Sequence, residues 1–522
     1  MVRSSTRTEG TVRALLSVSD TSGLVAFARG LSDLGWELIA TDGTRAALAR
    51  EGINARGVLE VTSSPELLGG RVKTLHPRIH AAILARRSDP QHLADLAREG
   101  IEPIDLVAVN LYAFADAAAA GVSGTALLEK IDIGGVALLR AAAKNHDDVI
   151  VVARPARYDT VLEELRERGR IGGETRRALA AEAFSVTAAY DASIASRLTA
   201  DAGTLFPDDL TLSLRKVRDL RYGENPHQHA AFYALRGEDG AMTRMEQLHG
   251  KATSFNNMLD VSAAWRMAAD FAQPTVAIVK HQNPCGIASE TTVAKAYERA
   301  FLGDPISAFG GIVGVNRVVT RELAEALRDT FYEAIVAPGY EDEALPLLKR
   351  RKNLEILAVP GPATGARGQR SSVLDLKRVP GGFLAQTPDE AAAEENFKVV
   401  TERHPTLDEL TDLIFAWRCV RHVTSNAIVL AKGLATVGVG PGQLSRVVSV
   451  EVAVRRAGEN ARLAVMASDA YFPFPDGIEV AGRAGVTAII QPGGSLRDAM
   501  MIETANKHRI AMLFTGRRHF KH

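Results

Sequence analysis

The sequence predicts an α/β protein in at least two domains, the first built on a parallel sheet. Three observations predict this. Short apolar, strand-like runs alternate with segments of helical period through the first 200 residues. A stretch rich in Gly, Pro and acids, Asp201 to Asp209, then interrupts the alternation, which resumes beyond it. Finally, 522 residues exceed what one hydrophobic core holds.

Val12 to Val18 reads as a buried strand, and Asp20-Thr21-Ser22-Gly23 as a turn rich in helix-capping residues. Leu24, Phe27, Ala28 and Leu31 share one face of a helix over Leu24 to Leu34. Leu38 to Ala40 is a short strand, and Thr41-Asp42-Gly43-Thr44 turns into a helix through Ala49. Leu106 to Asn110 and Val149 to Val152 read as strands flanking a helix over Ala137 to Lys144. Glu174 to Leu198 is a long Ala-rich helix that closes the domain. Further on, Thr275 to Val279, Gly311 to Val315 and Ala427 to Leu430 read as strands. Pro360 to Ser372 is a second soft stretch, an exposed loop or subdomain joint. The expected organisation is a domain over 1–200, a linker over 201–215, and a larger domain over 216–522 with subdomains 216–372 and 373–522. Polar corners near Lys280 and near Asn426 fit a duplicated unit.

Composition narrows the function. Lys plus Arg and Asp plus Glu both number 62, so no global basic field invites nucleic acid, and any anion site must be local. Two cysteines, Cys285 and Cys419, cannot staple a chain this long. A reducing cytoplasm is therefore expected, and a cysteine-rich zinc site is excluded. The opening MVRSSTRTEG lacks the apolar run of a signal peptide, and the apolar stretches fall short of a membrane span.

Several segments are dense in side chains that do chemistry. Gly69 to Pro77 (GGRVKTLHP) joins two glycines, two cations and a hydroxyl, a combination suited to a phosphate as well as to a solvated basic turn. Ser19-Asp20 and Thr41 to Thr44 follow the first two strands, where open parallel sheets bind ligands, although capping alone would also use them. Lys130 to Gly135 sets an acid, Asp132, beside two glycines. Lys144 precedes Asn145 and His146 at a helix end, where a lysine usually pairs with the helix dipole. In the second domain, Leu220 to Gln228 (LRYGENPHQ) is a polar turn whose Arg221 has the fork that grips phosphate or carboxylate. Thr275 to Val279 delivers Lys280-His281, a base beside a cation that can stabilise a developing oxyanion. The alternative is a structural histidine. Pro284-Cys285 matches half of a zinc-deaminase motif, but no Cys-x-x-Cys follows. Gly438, Gly440 and Gly442 read as a glycine loop leading to Arg446, without the spacing or acid of a dinucleotide fingerprint. Tyr471, Phe472 and Phe474 beside prolines suggest a packed corner, and Arg517 to His522 an exposed basic end or a return to a phosphate.

In order, SVSD, GGRVKTLHP, NLY, IDIGG, LLRAAAKNH, LRYGENPHQ, KHQNPCG, SDAYFPF and QPGGS resemble the bifunctional 5-aminoimidazole-4-carboxamide ribonucleotide (AICAR) formyltransferase/inosine monophosphate (IMP) cyclohydrolase family of purine biosynthesis. The resemblance runs nearly end to end. It implies a methylglyoxal-synthase-like first domain and a second of two cytidine-deaminase-like α/β subdomains without zinc. It implies formyl transfer from 10-formyltetrahydrofolate to AICAR and closure of the product to IMP, with no metal chemistry. By similarity the cyclohydrolase site uses Ser19, Asp20, Thr41, Asp42, Gly43 and Thr44. It also uses Arg71, Lys73 and Thr74 on the phosphate, with Asn110 and Tyr112. Asp132 and Lys144 assist proton movement there. In the transformylase site the resemblance implies His281 as base and Lys280 as oxyanion stabiliser. Arg221, Tyr222, Gly310 and Glu333, with Asn426, Arg446, Tyr471 and Arg518, would surround the nucleotide. Val447, Asp476, Gln491 and Pro492 would lie toward the folate. Thr21 stands where animal members carry lysine, and Glu333 where some carry aspartate. Members work as homodimers with shared transformylase sites. Two other readings remain open on the residues alone: a zinc nucleoside deaminase and a non-catalytic sensor of a phosphorylated metabolite.

Overall fold

The computed structural model describes residues 11–236, 238, 240–360, 374–389 and 397–522. The opening decapeptide and nearly all of the second soft stretch therefore lie outside the described residues. The chain divides into two compact units at Arg215, with Ala234–Glu238 grouped with the first.

The first unit is a five-stranded parallel sheet of β1 (Arg13–Val18), β2 (Glu37–Ala40), β3 (Arg56–Gly57), β4 (Leu106–Asn110) and β5 (Ile150–Val152), in the order β3-β2-β1-β4-β5. Ala14 to Leu16 and Leu106 to Val109 are buried throughout, as expected of strands covered on both faces. Helices α1 (Leu24–Asp33), α2 (Asp42–Arg50), α3 (Pro77–Leu84), α4 (Gly134–Lys144), α5 (Tyr158–Arg168) and α6 (Gly173–Asp201) cover them. α1 buries Leu24, Phe27, Ala28 and Leu31, the face read from the sequence. α4 begins at Gly134, three residues before the expected start. There Asp132 accepts the Gly135 N–H at 2.7 Å and satisfies one first-turn donor.

A two-stranded ribbon, β6 (Leu214–Leu220) with β7 (Ala230–Leu235), precedes the two main sheets of the second unit. The first main sheet holds β8 (Glu246–His249), β9 (Thr275–Lys280), β10 (Asn283–Ser289), β11 (Ile312–Val315), β12 (Ala334–Ala337) and β13 (Glu355–Ala358), ordered β10-β9-β11-β12-β13-β8. After a hairpin, β14 (Asp375–Val379) with β15 (Gly382–Gln386), comes the second. It holds β16 (Lys398–Val399), β17 (Ile428–Ala431), β18 (Thr436–Gly440), β19 (Val465–Ser468), β20 (Ala488–Gln491) and β21 (Ala511–Phe514), ordered β18-β17-β19-β20-β21-β16. The two orders and strand directions correspond strand for strand. In each, an antiparallel hairpin leads to three parallel strands and an antiparallel edge. The duplication is therefore real, and the sheets are mixed rather than parallel.

Period-two alternation fixes the layers. Ala277 and Val279 of β9 and Val429 and Ala431 of β17 face one shared core, in which helices α7 (Phe255–Ala269) and α8 (Leu407–Val420) also bury side chains. Val276 and Ile278 face a second core, and Ile428 and Leu430 a third. The expected glycine loop is largely strand: Gly438 and Gly440 lie in β18, and only Gly442 turns with positive φ. A Cβ on Gly440 would stand 1.9 Å from the Ser449 carbonyl oxygen, so these glycines admit the following helix, α9 (Arg446–Ala457).

Candidate functional site

In the first unit Ser19, Asp20, Thr41 to Thr44, Asn110 and Tyr112, all expected at the cyclohydrolase site, gather where β1, β2 and β4 end. The Asn110 side-chain oxygen accepts the N–H groups of Ser19 at 2.6 Å and Asp20 at 2.8 Å, and its amide donates to the Asp20 carbonyl at 2.8 Å. One asparagine thus fixes the turn after β1 against the end of β4. The Thr44 hydroxyl accepts the Val18 N–H at 3.0 Å and ties the start of α2 to the same edge. Thr41 caps α2 without a side-chain hydrogen bond, so the first-turn N–H groups of Asp42, Gly43 and Thr44 open on this edge. Arg71 is paired with Glu129, and Lys73 with Glu66 at 2.9 Å. Thr74 is buried against the first turn of α4.

Asp132 is half-buried, and burial raises its carboxyl pKa against the opposing Gly135 and Tyr112 N–H groups. Its own N–H donates to the Tyr190 hydroxyl of α6 at 2.8 Å, and that hydroxyl donates to the Lys130 carbonyl at 2.7 Å. Tyr112 is 45% exposed beside it. Lys144 does not join this group. α4 runs eleven residues from Gly134 to Lys144, about 15 Å along its axis, to the opposite edge of the sheet. There Asn145 donates to the carbonyls of Ile83 and Ala85. Within one chain, then, helix direction sets Lys144 apart from Asp132, the residue with which the resemblance groups it. Sequence reading also missed two tyrosines of this edge, Tyr190 and Tyr158. Tyr158 stacks on Phe27 at 4.2 Å, and burial, with Asp20 beside it, pushes its hydroxyl pKa up to about 12.

In the second unit the expected residues form two groups. The first lies on the edge where β11, β12 and β13 begin. Lys280 ends β9, and its Nζ donates to the Phe309 carbonyl at 2.8 Å, next to Gly310. His281 and Gln282 form a two-residue turn into β10, both with positive φ (53° and 60°), and the His281 side chain is exposed. Glu333 precedes β12 and is paired with Lys251. Arg221 lies over the Tyr222 ring, 4.6 Å from its centroid, and the Tyr222 carbonyl accepts the Phe255 N–H at the start of α7.

The second group lies on the opposite edge of its sheet, where β19, β20 and β21 end. Arg446 is 7% exposed, ion-paired with the fully buried Asp469, and donates to Ser468 Oγ at 2.8 Å and the Asn426 side-chain oxygen at 2.8 Å. Tyr471 and Arg518 are exposed, Arg518 over the Phe520 ring. Asp476 opens an exposed helix start, and Val447 is half-buried. Gln491 and Pro492 are buried. The Gln491 side chain accepts the Phe472 N–H at 3.3 Å and so braces a corner. That corner is packed only at Phe472, since Phe474 is 51% exposed. The two groups are linked through the Asn283 side-chain oxygen, which accepts the Thr424 N–H at 2.9 Å. The basic tail returns: Lys521 Nζ donates to the carbonyls of His422 at 2.7 Å and Gln282 at 3.3 Å.

Comparison with known proteins decides the family. A family model described as AICARFT/IMPCHase bienzyme matches residues 142–456, and one described as MGS-like domain matches residues 23–137. A bifunctional purine biosynthesis protein PurH of Desulfitobacterium hafniense is 50% identical over 520 residues, covering 98% of this chain and 99% of its own. One of Anoxybacillus flavithermus is 48% identical over 513 residues, with the same two coverages.

The chain belongs to the AICARFT/IMPCHase bienzyme family. It is a bifunctional AICAR formyltransferase and IMP cyclohydrolase of purine biosynthesis. A solved structure titled ForH is 40% identical where it aligns, covering 35% of this chain and 97% of that one, with a TM-score of 0.33. Among the described residues of this bienzyme no cluster of His, Cys, Asp or Glu has the arrangement of a metal site, and Cys285 is buried. No helix among them is long and apolar enough to cross a membrane.

Proposed function

We propose that Lys280 and His281 carry formyl transfer from 10-formyltetrahydrofolate to AICAR, and that Asp132 and its neighbours carry ring closure. The AICAR amine is a poor nucleophile because its lone pair is shared with the ring. As it attacks the formyl carbon, His281 takes its proton and Lys280 stabilises the oxyanion of the tetrahedral intermediate. Collapse expels the folate nitrogen, which regains a proton. In the first unit the carboxamide nitrogen then attacks the new formyl carbon and water leaves. Asp132, held by burial nearer to its protonated form, is suited to exchange a proton in that step.

The observation that carries the reading is the end of β9: a buried strand stops at an ammonium and an exposed imidazole on adjacent residues. The test is absorbance detection of IMP from AICAR and 10-formyltetrahydrofolate. His281→Ala should lower formyl transfer by about 10²- to 10⁴-fold and spare cyclisation of supplied formylated nucleotide. Equal loss of both activities would refute separate sites.

For the cyclohydrolase phosphate there are two arrangements. The first uses Arg71, Lys73 and Thr74, freed from Glu129 and Glu66. The second, favoured by the open N–H groups at the start of α2, seats the phosphate there. Lys73→Ala should weaken nucleotide but not nucleoside binding under the first, and Gly43→Pro, which deletes one N–H, under the second.

The transformylase site is proposed to be completed by a second copy, with Lys280, His281, Arg221, Tyr222, Gly310 and Glu333 from one subunit. Asn426, Arg446, Tyr471 and Arg518 would come from its partner, with Val447, Asp476, Gln491 and Pro492 toward the folate. The enzyme is proposed to work in the cytoplasm, in keeping with its two buried, unpaired cysteines.

A further inference from the structure

The turn that presents His281 is expensive for its sequence. A two-residue hairpin with both φ values positive suits Asn-Gly or Gly-Gly, because a Cβ crowds the backbone there. Here the residues are His281 and Gln282, with φ of 53° and 60°. Local preference does not hold this shape, so contacts must.

Those contacts come from three directions. Asp260, in the second turn of α7, points both carboxylate oxygens at the turn: Oδ2 accepts the His281 N–H at 3.0 Å and Oδ1 the Gln282 N–H at 2.7 Å. The Asn283 amide donates to the His281 carbonyl at 3.1 Å. Lys521 Nζ donates to the Gln282 carbonyl at 3.3 Å from the returning tail. Both N–H groups and both carbonyls of the turn are thus engaged, and one side chain takes the two donors. A carboxylate accepting two adjacent N–H groups is a charge-assisted, two-point grip that fixes orientation as well as position. Asp260 is half-buried on a helix packed against β9, so the grip is anchored to the core and not to a loop.

We propose that Asp260 is a positioning residue for formyl transfer: its carboxylate locks the His281–Gln282 backbone in the left-handed turn that aims the His281 imidazole. This rests on the reading of His281 as the transformylase base. Asp260 acts through the turn and touches neither substrate nor the reacting atoms.

The experiment measures kcat and KM for formyl transfer, and cyclisation of formylated nucleotide, on the full chain. Asp260→Ala should lower the formyl-transfer kcat by about 10- to 100-fold, as misplacement of a base does, with the nucleotide KM within about threefold and cyclisation retained. Gln282→Gly added to Asp260→Ala should recover part of the lost kcat, since glycine adopts the left-handed shape without the grip. Asp260→Asn, which keeps the volume and one acceptor oxygen, should fall between wild type and Asp260→Ala. An unchanged kcat in Asp260→Ala would overturn the proposal. If Asp260→Ala loses both activities together, the decision passes to Asp260→Asn with and without Gln282→Gly, and no recovery by glycine there overturns it. His281→Ala is assayed alongside. If that variant keeps formyl transfer, the reading of His281 falls; if it is inactive while Asp260→Ala is normal, the positioning role alone falls.

Discussion

The two six-stranded sheets of the second unit share strand order, direction and even the glycines that admit a helix, yet the residues expected at the transformylase site stand at opposite edges of the two. In the first, Lys280, Gly310 and Glu333 stand where the parallel strands begin. In the second, Asn426, Asp469 and Gln491 stand where they end. Copying a fold therefore copied its packing rules and not its chemistry. Packing depends on every strand, whereas a site needs only a few residues at whichever edge is open.

The sharpest way to break this comparison is complementation. If the two edges serve one site in different subunits, His281→Ala and Arg518→Ala should each be deficient in formyl transfer alone. Mixed after co-expression, they should regain activity, because one of the two sites in each heterodimer would be intact. No recovery above the sum of the parents would mean that each chain builds its site unaided.

The next effect is on stability. Gly286 of β10 and Gly440 of β18 occupy matching hairpin strands, and a Cβ at either would stand 1.9 Å from a helix carbonyl, that of Ala300 or Ser449. Gly286→Ala and Gly440→Ala should each destabilise the second unit by about 2 kcal/mol or more, measured by denaturant unfolding. A large effect at one and none at the other would show that the repeats pack by different rules.

The smallest effect lies where the repeats are joined. Asp270, capping α7, meets Arg421 at 2.6 Å and His422 at 3.1 Å, just beyond α8. Burial, aided by Arg421, holds His422 neutral down to a pKa of about 4, although Asp270 pulls the other way. The unfolded chain takes up a proton near pH 6.5 that the folded one refuses. Stability contributed here is therefore complete above that pH and declines as pH falls toward 4. His422→Asn should flatten the melting temperature over that window, read by calorimetry at several pH values. An unaltered slope would remove His422 from acid sensitivity.

Much of this was legible in the sequence, and the failures have physical causes. β1, β4, β9 and β17 were readable because a covered strand needs unbroken apolar side chains. The Lys280–His281 pair was readable because it ends such a run. Asp260 was not, since an aspartate within a helix, 21 residues before the turn it holds, looks like any solvated helix residue. Lys144 was grouped with Asp132 by resemblance alone, and its distance from Asp132 within one chain was not legible, because a helix of eleven residues carries its two ends to opposite edges of a sheet. Gly438 and Gly440 resembled a loop because glycine usually breaks strands. Here Val437 and Val439 alternate with them, and the empty positions admit α9.

The Tyr190 hydroxyl, seated between the backbone of Lys130 and Asp132, has a practical corollary for anyone trimming this protein. A fragment cut after β5 keeps every strand of the first sheet but discards the phenol that fastens the acid's loop. A minimal cyclisation module must therefore extend beyond residue 190, and its excision points should be chosen by that tether rather than by where the sheet is complete.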